Sequence, residues 1–446
     1  MITAESAKGP RGQWLLGNNL QFWRDPLGFL ESCARQFGDV VPIHLGTGTF
    51  YLVSDPADME LAFTNSKRFV KSALLRGPLM RRISGNGIFV SEGAFWTRQR
   101  RLMQPAFHRD EIVSYANIMV AATTAMSDGW SNGMTIDIHQ EMMRLTLAIV
   151  CKALFNTDIG DSRCAEVGAA MEILTSQFAA SPNLLRNIAG LFLPIGHRSF
   201  EAAARRLDAV VDALIEEHGS SSQEARNLLS TLMNARDEEG HSMTNRQIRD
   251  EVITLLLAGH ETTALALTWT CVLLAQHQEI EASLAAELNR VLQDRMPCFE
   301  DWSQIAYLGK VIREAMRLYP PVWMTSRELS DECKVGTRTL AKGTQLFMSQ
   351  WVVHRDPRFY SNPSEFNPLR WTEDFTKALP KFAYFPFGGG PRVCLGQSFA
   401  MLEITLVLAT VLQKWKLKLG PSQEILPHPT LTLRPKGSVQ MLLEKR

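Results

Sequence analysis

Between Val252 and Ala275 the chain carries a single formally charged side chain, Glu261, in an otherwise apolar and small-residue run. The run is long enough to cross a bilayer. Its middle, however, is His260-Glu261-Thr262-Thr263, and charge at that depth is costly in lipid. The stretch therefore reads as a buried helix with a polar notch. Thr244 and Gln247 form a capping box ahead of it, and Ile248, Val252, Leu255 and Gly259 follow at spacings of three and four.

The chain has 446 residues, which admits several domains or one large helical one. Hydrophobic residues make up 45% and charged residues 21%, the balance of a globular protein with material for a large core, so disorder is excluded. Lysine plus arginine total 47 against 46 acids, a net charge of +1. No global field favours nucleic acid or an anionic membrane. Seven cysteines, at 33, 151, 164, 271, 298, 333 and 394, are scattered and odd in number, with no CxxC pair. This argues against a disulfide framework or a zinc site and fits a reducing cytoplasm. The first residues, MITAESAKGPRGQWLLGNN, lack the apolar core of a signal peptide or an anchor. A soluble, cytoplasmic protein without membrane attachment is expected.

Val40 to Leu45, Gly46-Thr-Gly48 and Thr49 to Val53 predict two strands joined by a glycine turn. From about 56 to 318 helical spacing dominates, with breaks at 85–87, 132–134, 181–183 and 219–222. Residues 320–392 are rich in proline and glycine with short β-like pieces. A last helix, about 397–415, carries Phe399, Leu402, Leu406 and Ala409 on one face. Neither repeat nor linker divides the chain. It reads as one mainly α domain, 1–446, with β-rich portions at about 38–70 and 320–392.

Phe387-Gly-Gly-Gly-Pro-Arg-Val-Cys394-Leu-Gly396 sets four glycines, an arginine and a cysteine directly before that last helix. Glycines let backbone approach a flat cofactor, and a thiol at a helix N-terminus is favoured as thiolate, which can bind iron. Arg392 suits a carboxylate such as a haem propionate. These residues match the cytochrome P450 haem-binding pattern FxxGxRxCxG at Phe387, Gly390, Arg392, Cys394 and Gly396, and the chain resembles that superfamily over nearly its whole length, in its soluble bacterial type. The resemblance implies a large helical lobe and a smaller β-rich lobe. Haem b, iron protoporphyrin IX, would lie between the central helix and the cysteine loop, with Cys394 as axial ligand to the iron. Thiolate donation in that family favours O–O cleavage.

Ala258-Gly259-His-Glu261-Thr262 is similar to the family's AGx(D/E)T motif. There a small residue leaves space over the iron, the acid takes part in proton delivery, and the threonine bonds the bound dioxygen. Glu314 and Arg317 match the family's ExxR, and Phe366-Asn-Pro-Leu-Arg370-Trp371 resembles its PERF-like segment, implying a buried Glu314-Arg317-Arg370 network. ExxR also occurs at Glu141/Arg144 and Glu287/Arg290, so order along the chain carries the assignment. Trp96 and Arg100 match the WxxxR helix, also found at Trp323/Arg327 and Trp351/Arg355. The resemblance makes Trp96 and Arg100 propionate partners and offers Arg327 as a further one.

The resemblance draws a substrate pocket from residues 70 to 92, the central helix and the stretch after Pro321. Leu74, Leu75, Leu79, Met80, Ile83, Ile88, Phe89, Leu257, Val322, Trp323 and Met324 there suggest a hydrophobic terpenoid or fatty-acid-like substrate, and any one of them reads equally well as core. Lys71, Arg76, Arg81 and Arg82 are either partners for a substrate carboxylate or simply solvated. No flavin, nicotinamide or four-cysteine iron–sulfur fingerprint is present, so electrons come from a separate ferredoxin or flavodoxin with its NAD(P)H-dependent reductase. Arg98, Arg101 and Lys381 are expected to dock it. With O2 as co-substrate the implied reaction is monooxygenation. Glu261 and Thr262 argue against a peroxide-driven peroxygenase, and a haem-thiolate sensor without turnover is the reading from another class. Gly9-Pro-Arg-Gly12 is similar to the hinge that follows membrane anchors in some relatives.

Overall fold

The computed structural model describes residues 9–14, 16–46, 48–73, 75–156, 162–179, 197–220, 227–420 and 423–446. The expected breaks at 181–183 and 221–222, Leu74 and the Cys164 side chain lie outside the described residues. Two compact units emerge, one of residues up to Gly77 with Arg317–Cys394, the other of Pro78–Met316 with Leu395–Arg446.

The first unit is built on a five-stranded sheet. Val40–Leu45 and Gly48–Val53 pair antiparallel, as the alternation predicts, and Gly46 takes the positive φ of 61° that the turn needs. Gly48–Val53 then pairs parallel with Gln345–Met348, which pairs with Thr325–Leu329, and Phe69–Lys71 closes the far edge. The helix Pro56–Thr64 starts on Asp55, whose carboxylate accepts from the Ala57 and Asp58 amides, with proline at the first turn. Its Met59, Ala62 and Phe63 pack with Phe69, Leu329, Leu346, Phe382 and Phe385 in one buried cluster. The strands of the 320–392 stretch are confined to Thr325–Met348. Beyond them Pro357, Pro363, Pro368, Pro380, Pro386 and Pro391 each remove a ladder donor, and the chain runs in turns and short helices.

The second unit holds the long helices. The capping box forms as expected: Thr244 Oγ1 accepts from the Gln247 amide at 3.3 Å, and Gln247 Oε1 accepts from the Thr244 amide at 2.8 Å. The central helix Asn245–Gln276 follows, 32 residues and about 48 Å long. It packs chiefly against Ile138–Phe155. Among the described residues it is the one helix long and apolar enough to cross a membrane, and 72% of its apolar window is buried inside the protein. The last helix, Gln397–Lys414, buries almost every residue from Leu402 to Leu412 rather than one face.

The mainly helical span 56–318 also holds two short strands, Phe69–Lys71 and Thr135–Asp137, and the C-terminal stretch that composition left unassigned is β structure. Gln440–Lys445 lies between Thr135–Asp137 and Trp415–Leu419 in an antiparallel sheet, and Pro427–Pro429 with Leu433–Pro435 forms a hairpin. A three-residue strand paired some 300 positions away leaves no local periodicity to read.

Candidate active site

In the first unit, the cysteine loop is shaped by its own backbone. The Gly388 amide donates to Phe385 O at 2.9 Å, Val393 to Gly390 O at 3.1 Å, and Cys394 to Phe387 O at 3.0 Å. Gly388 and Gly390 have φ of 70° and 64°. A Cβ at 390 would fall 2.2 Å from Phe63 O, and one at 389 would fall 2.2 Å from the Phe382 ring. The glycines therefore let the loop lie flat on an aromatic platform. Phe63 stacks on Phe382 at 5.1 Å and touches Phe385 at 5.6 Å, while the Phe385 amide donates to His354 Nε2 at 3.0 Å. Arg327, buried on its strand, sets its guanidinium 5.4 Å over Phe63 and donates to Ser326 O at 3.0 Å. Phe387 and Arg392 are half-buried beside Cys394 in the chain.

Cys394 is the exposed thiol among the described cysteines. Burial pushes the Cys33 and Cys271 thiols up to about 12, which keeps them protonated. Gly396 is the N-cap of the last helix and its carbonyl accepts from Ala400 N at 2.8 Å. Cys394 stands two residues ahead of that helix start.

Arg317 is fully buried. Its Nη1 donates to His354 O and Pro363 O, both at 2.7 Å, its Nη2 to Glu365 O at 3.0 Å, and its plane lies 4.9 Å over Tyr360. Arg370 donates to Ser361 O at 2.9 Å and, more weakly, to Asn362 O and Glu365 O at 3.4 Å. The two arginines thus both donate to carbonyls of one loop, 361–365, and share Glu365 O. Glu314, fully buried, sits one turn before Arg317 on the same helix.

In the second unit, Trp96 is buried on Gly93–Met103 with the Arg100 guanidinium 5.8 Å over its ring, one turn on. The central helix is buried nearly all round from Ile248 to Leu274, except for Leu255, Leu257, Ala258, Gly259 and Thr262. At about 100° per residue, Leu255, Ala258, Gly259 and Thr262 form one stripe. Thr262 Oγ1 donates to Ala258 O at 2.6 Å, so the hydroxyl is held on that stripe with its lone pairs outward. Glu261 lies to the flank. Burial works to raise its carboxyl, but Arg434 Nε at 2.6 Å and the Thr432 hydroxyl hold it below the usual carboxylate range.

Leu79 and Ile88 are exposed or half-buried, as are Val322 and Met324, whereas Ile83 and Trp323 are buried. For Ile83, 1% exposed, the core reading is the better one. The cations proposed for a substrate carboxylate are largely engaged elsewhere. Arg82 pairs with Glu201 at 2.9 Å and Asp208 at 3.2 Å, Arg76 pairs with Glu328 at 3.0 Å, and Lys71 is buried in a strand opposite Arg327. Arg98 also leaves the docking set: Asp237 at 2.7 Å and the carbonyls of His241 and Ser242 take its donors. Arg101 and Lys381 remain exposed, paired with the exposed Glu238 and Glu60.

The reading of motifs missed Asp250 and Glu251. Asp250 accepts from the Asn86 amide at 2.8 Å, and Glu251 accepts from the Ile88 amide at 2.8 Å and Gln99 Nε2 at 3.0 Å. Gly85 has φ of 55°, and a Cβ there would fall 2.1 Å from Asp250 Oδ1. The signal was two adjacent acids entering an apolar run, which need buried donors. Arg434 and Thr432 carried no signal of their own.

A cytochrome P450 family profile matches residues 7–443. The chain is 37% identical to cyclooctatin synthase of Streptomyces melanosporofaciens, over 98% of this chain and 95% of that protein. It is 33% identical to cyclooctat-9-en-7-ol 5-monooxygenase of the same organism, over 94% and 93%. It is 32% identical to pentalenene oxygenase of Streptomyces avermitilis, over 94% and 93%. With an exposed cysteine in a glycine loop before a helix and a mostly buried helix that leaves Ala258, Gly259 and Thr262 uncovered, the chain belongs to the cytochrome P450 family. It is a haem-thiolate monooxygenase that works with a substrate and a redox partner.

Within the first unit the cysteine loop fits the haem: a soft donor stands exposed, Arg392 lies two residues before it, and Gly390 could take no side chain without displacing Phe63.

Proposed function

We propose that this cytoplasmic enzyme, acting as one functional domain, inserts one oxygen atom of O2 into a hydrophobic terpenoid or fatty-acid-like molecule, with a terpenoid favoured by the names of its relatives. The observation that carries the reading is the stripe on an otherwise buried helix, with Thr262 on it and an ionised carboxylate at its flank. When bound, the haem supplies dioxygen activation, helped by thiolate donation. Cys394 holds the iron; Phe387, Gly390 and Gly396 shape its loop. Trp96, Arg100, Arg327 and Arg392 bind propionates. Ala258 and Gly259 leave room on the helix, Thr262 offers a hydroxyl, and Glu261 moves protons. Glu314, Arg317 and Arg370 brace the loop. Leu79, Ile88, Leu257, Val322, Trp323 and Met324 contact substrate. Electrons come from a ferredoxin or flavodoxin served by an NAD(P)H-dependent reductase, docked through Arg101 and Lys381.

Terpene hydrocarbons and alcohols and a fatty-acid series, screened by the spectral shift that follows loss of the iron's water ligand, test the substrate class. The terpenes should give the tighter binding, and preference for fatty acids overturns that choice. Thr262→Ala should uncouple oxygen consumption from product. Unchanged coupling would sink the assignment of the stripe.

A further inference from the structure

Three consecutive residues of the hairpin Pro427–Pro435 are fastened to the central helix, and two of them to Glu261. The Thr432 hydroxyl and Arg434 Nε both donate to Glu261 Oε1, while between them Leu433 O accepts from the buried Trp269 indole at 2.8 Å. Glu261 and Trp269 are eight residues apart, about 12 Å along the helix. The hairpin is therefore fixed in register on the helix at two points. Glu261 is 6% exposed at its side chain and Arg434 is 23% exposed, so the pair spans from the helix flank toward solvent. Oε1 takes both of these contacts. The flank lies roughly 100° round the helix from Thr262.

We propose that Arg434 is a positioning residue: it holds the Glu261 carboxylate turned to the hairpin, so the hairpin sets when that carboxylate carries a proton toward the Thr262 stripe. The inference rests on Glu261 being the proton carrier. In each passage the carboxylate takes a proton from water on the hairpin side and gives it up on the stripe side; Arg434 keeps its charge while its contact with Oε1 loosens and re-forms. Burial alone would favour the neutral acid. Arg434 reverses that preference, and Thr432 assists.

The other titratable and charged groups facing Glu261 are His260 of its own helix and His139, which has Asp137 beside it. His260 is lowered to about 4 by burial, and His139 is also lowered by burial, so both are neutral at pH 7. Arg434 is then the one charged partner of Glu261 at that pH among these groups.

Arg434→Gln, Arg434→Lys, Thr432→Val and Glu261→Gln, each in the haem-loaded enzyme, provide the test. The first readout is independent of turnover: infrared spectra with labelled glutamate, taken against Glu261→Gln, should show an ionised carboxylate at pH 7 in the wild type and a protonated one in Arg434→Gln. The pH dependence of the melting temperature should also change sign. In the wild type the pair's stabilisation is lost as pH falls through the lowered carboxyl value; in Arg434→Gln, stability should instead rise as pH falls and the buried acid neutralises. Product formed per O2, followed against pH, should move to higher pH in Arg434→Gln and differ from wild type about threefold or more at pH 7, with Arg434→Lys restoring most of the profile. Thr432→Val should shift it the same way, by less.

An ionised Glu261 in Arg434→Gln, with a wild-type coupling profile, would overturn the proposal while Glu261→Gln still lost about tenfold. If Glu261→Gln itself couples normally, the proton-carrier reading is what fails. Should Arg434→Gln not fold, Arg434→Lys and Thr432→Val decide: wild-type spectra and profiles in both refute the role.

Discussion

Gly390→Ala and Gly388→Ala make a matched pair that isolates what the cysteine loop needs. Both glycines are left-handed, with φ of 64° and 70°. An alanine held there costs roughly 1–2 kcal/mol in either position. They differ in what the new methyl meets. At 388 the nearest atom is a Phe63 ring carbon at 4.0 Å, an ordinary contact, so the dihedral cost stands alone. At 390 the methyl would be 2.2 Å from Phe63 O, 2.7 Å from its carbonyl carbon and 3.2 Å from Thr64 Cα. These are helix backbone atoms, so no side chain can swing aside. Overpacking adds a further ~2–3 kcal/mol, for a total of about 3–5 kcal/mol. The displacement also reaches the Phe63 ring on which Arg327 rests. Thermal melts of the purified enzymes, with the fraction showing the red-shifted reduced-CO band of thiolate ligation, provide the measurement. Gly388→Ala should keep most of that band and melt slightly early, whereas Gly390→Ala should melt well below it and lose much of the band. Equal losses in the two variants would refute the idea that contact with Phe63 O, rather than left-handed backbone, makes residue 390 a glycine.

Three further outcomes follow from the geometry. Glu251→Ala removes the acceptor shared by the Ile88 amide and Gln99 Nε2 and should cost about 2–4 kcal/mol, while Glu251→Gln, which keeps an acceptor for one of them, should cost about half as much; denaturant melts check the ratio. Arg82→Ala should leave the relative binding of a fatty acid and its methyl ester unchanged, because Glu201 and Asp208 already occupy the guanidinium; a lost preference for the acid in titrations would restore Arg82 as a substrate ligand. His260, lowered to about 4 by burial, binds a proton less readily folded than unfolded. Its contribution is full above about 6.5 and is lost as pH falls toward 4, up to about 3 kcal/mol, so His260→Asn should flatten stability across that interval in melts against pH.

What was legible in the sequence was local. The 40–53 hairpin, the Thr244 capping box and the Cys394 loop each keep their signal within a dozen residues, and each stands in the structure where the pattern put it. The losses were all partners at long range. Arg98 and Arg82 read as free cations because Asp237 and Asp208 lie more than a hundred positions away. Glu261 could be picked out as an unusual acid in an apolar helix, but nothing around it announced an arginine 173 residues on. Likewise Thr135–Asp137 becomes a strand only because Gln440–Lys445 arrives beside it. Side-chain chemistry could be inferred from motifs; which charge neutralises which depends on the packing.

The segment from Gly85 to Val90 is tied to the central helix by peptide amides, with Asn86 and Ile88 donating to the Asp250 and Glu251 carboxylates. Main-chain donors do not change when a side chain does. Positions 86, 88 and 89 are therefore free to vary in size and polarity without loosening the attachment, while Gly85 and Gly87, whose Cβ positions fall on Asp250 and Thr254, are not. A lineage or a directed-evolution library can remodel this edge of the molecule one side chain at a time, with the scaffold beneath it left intact.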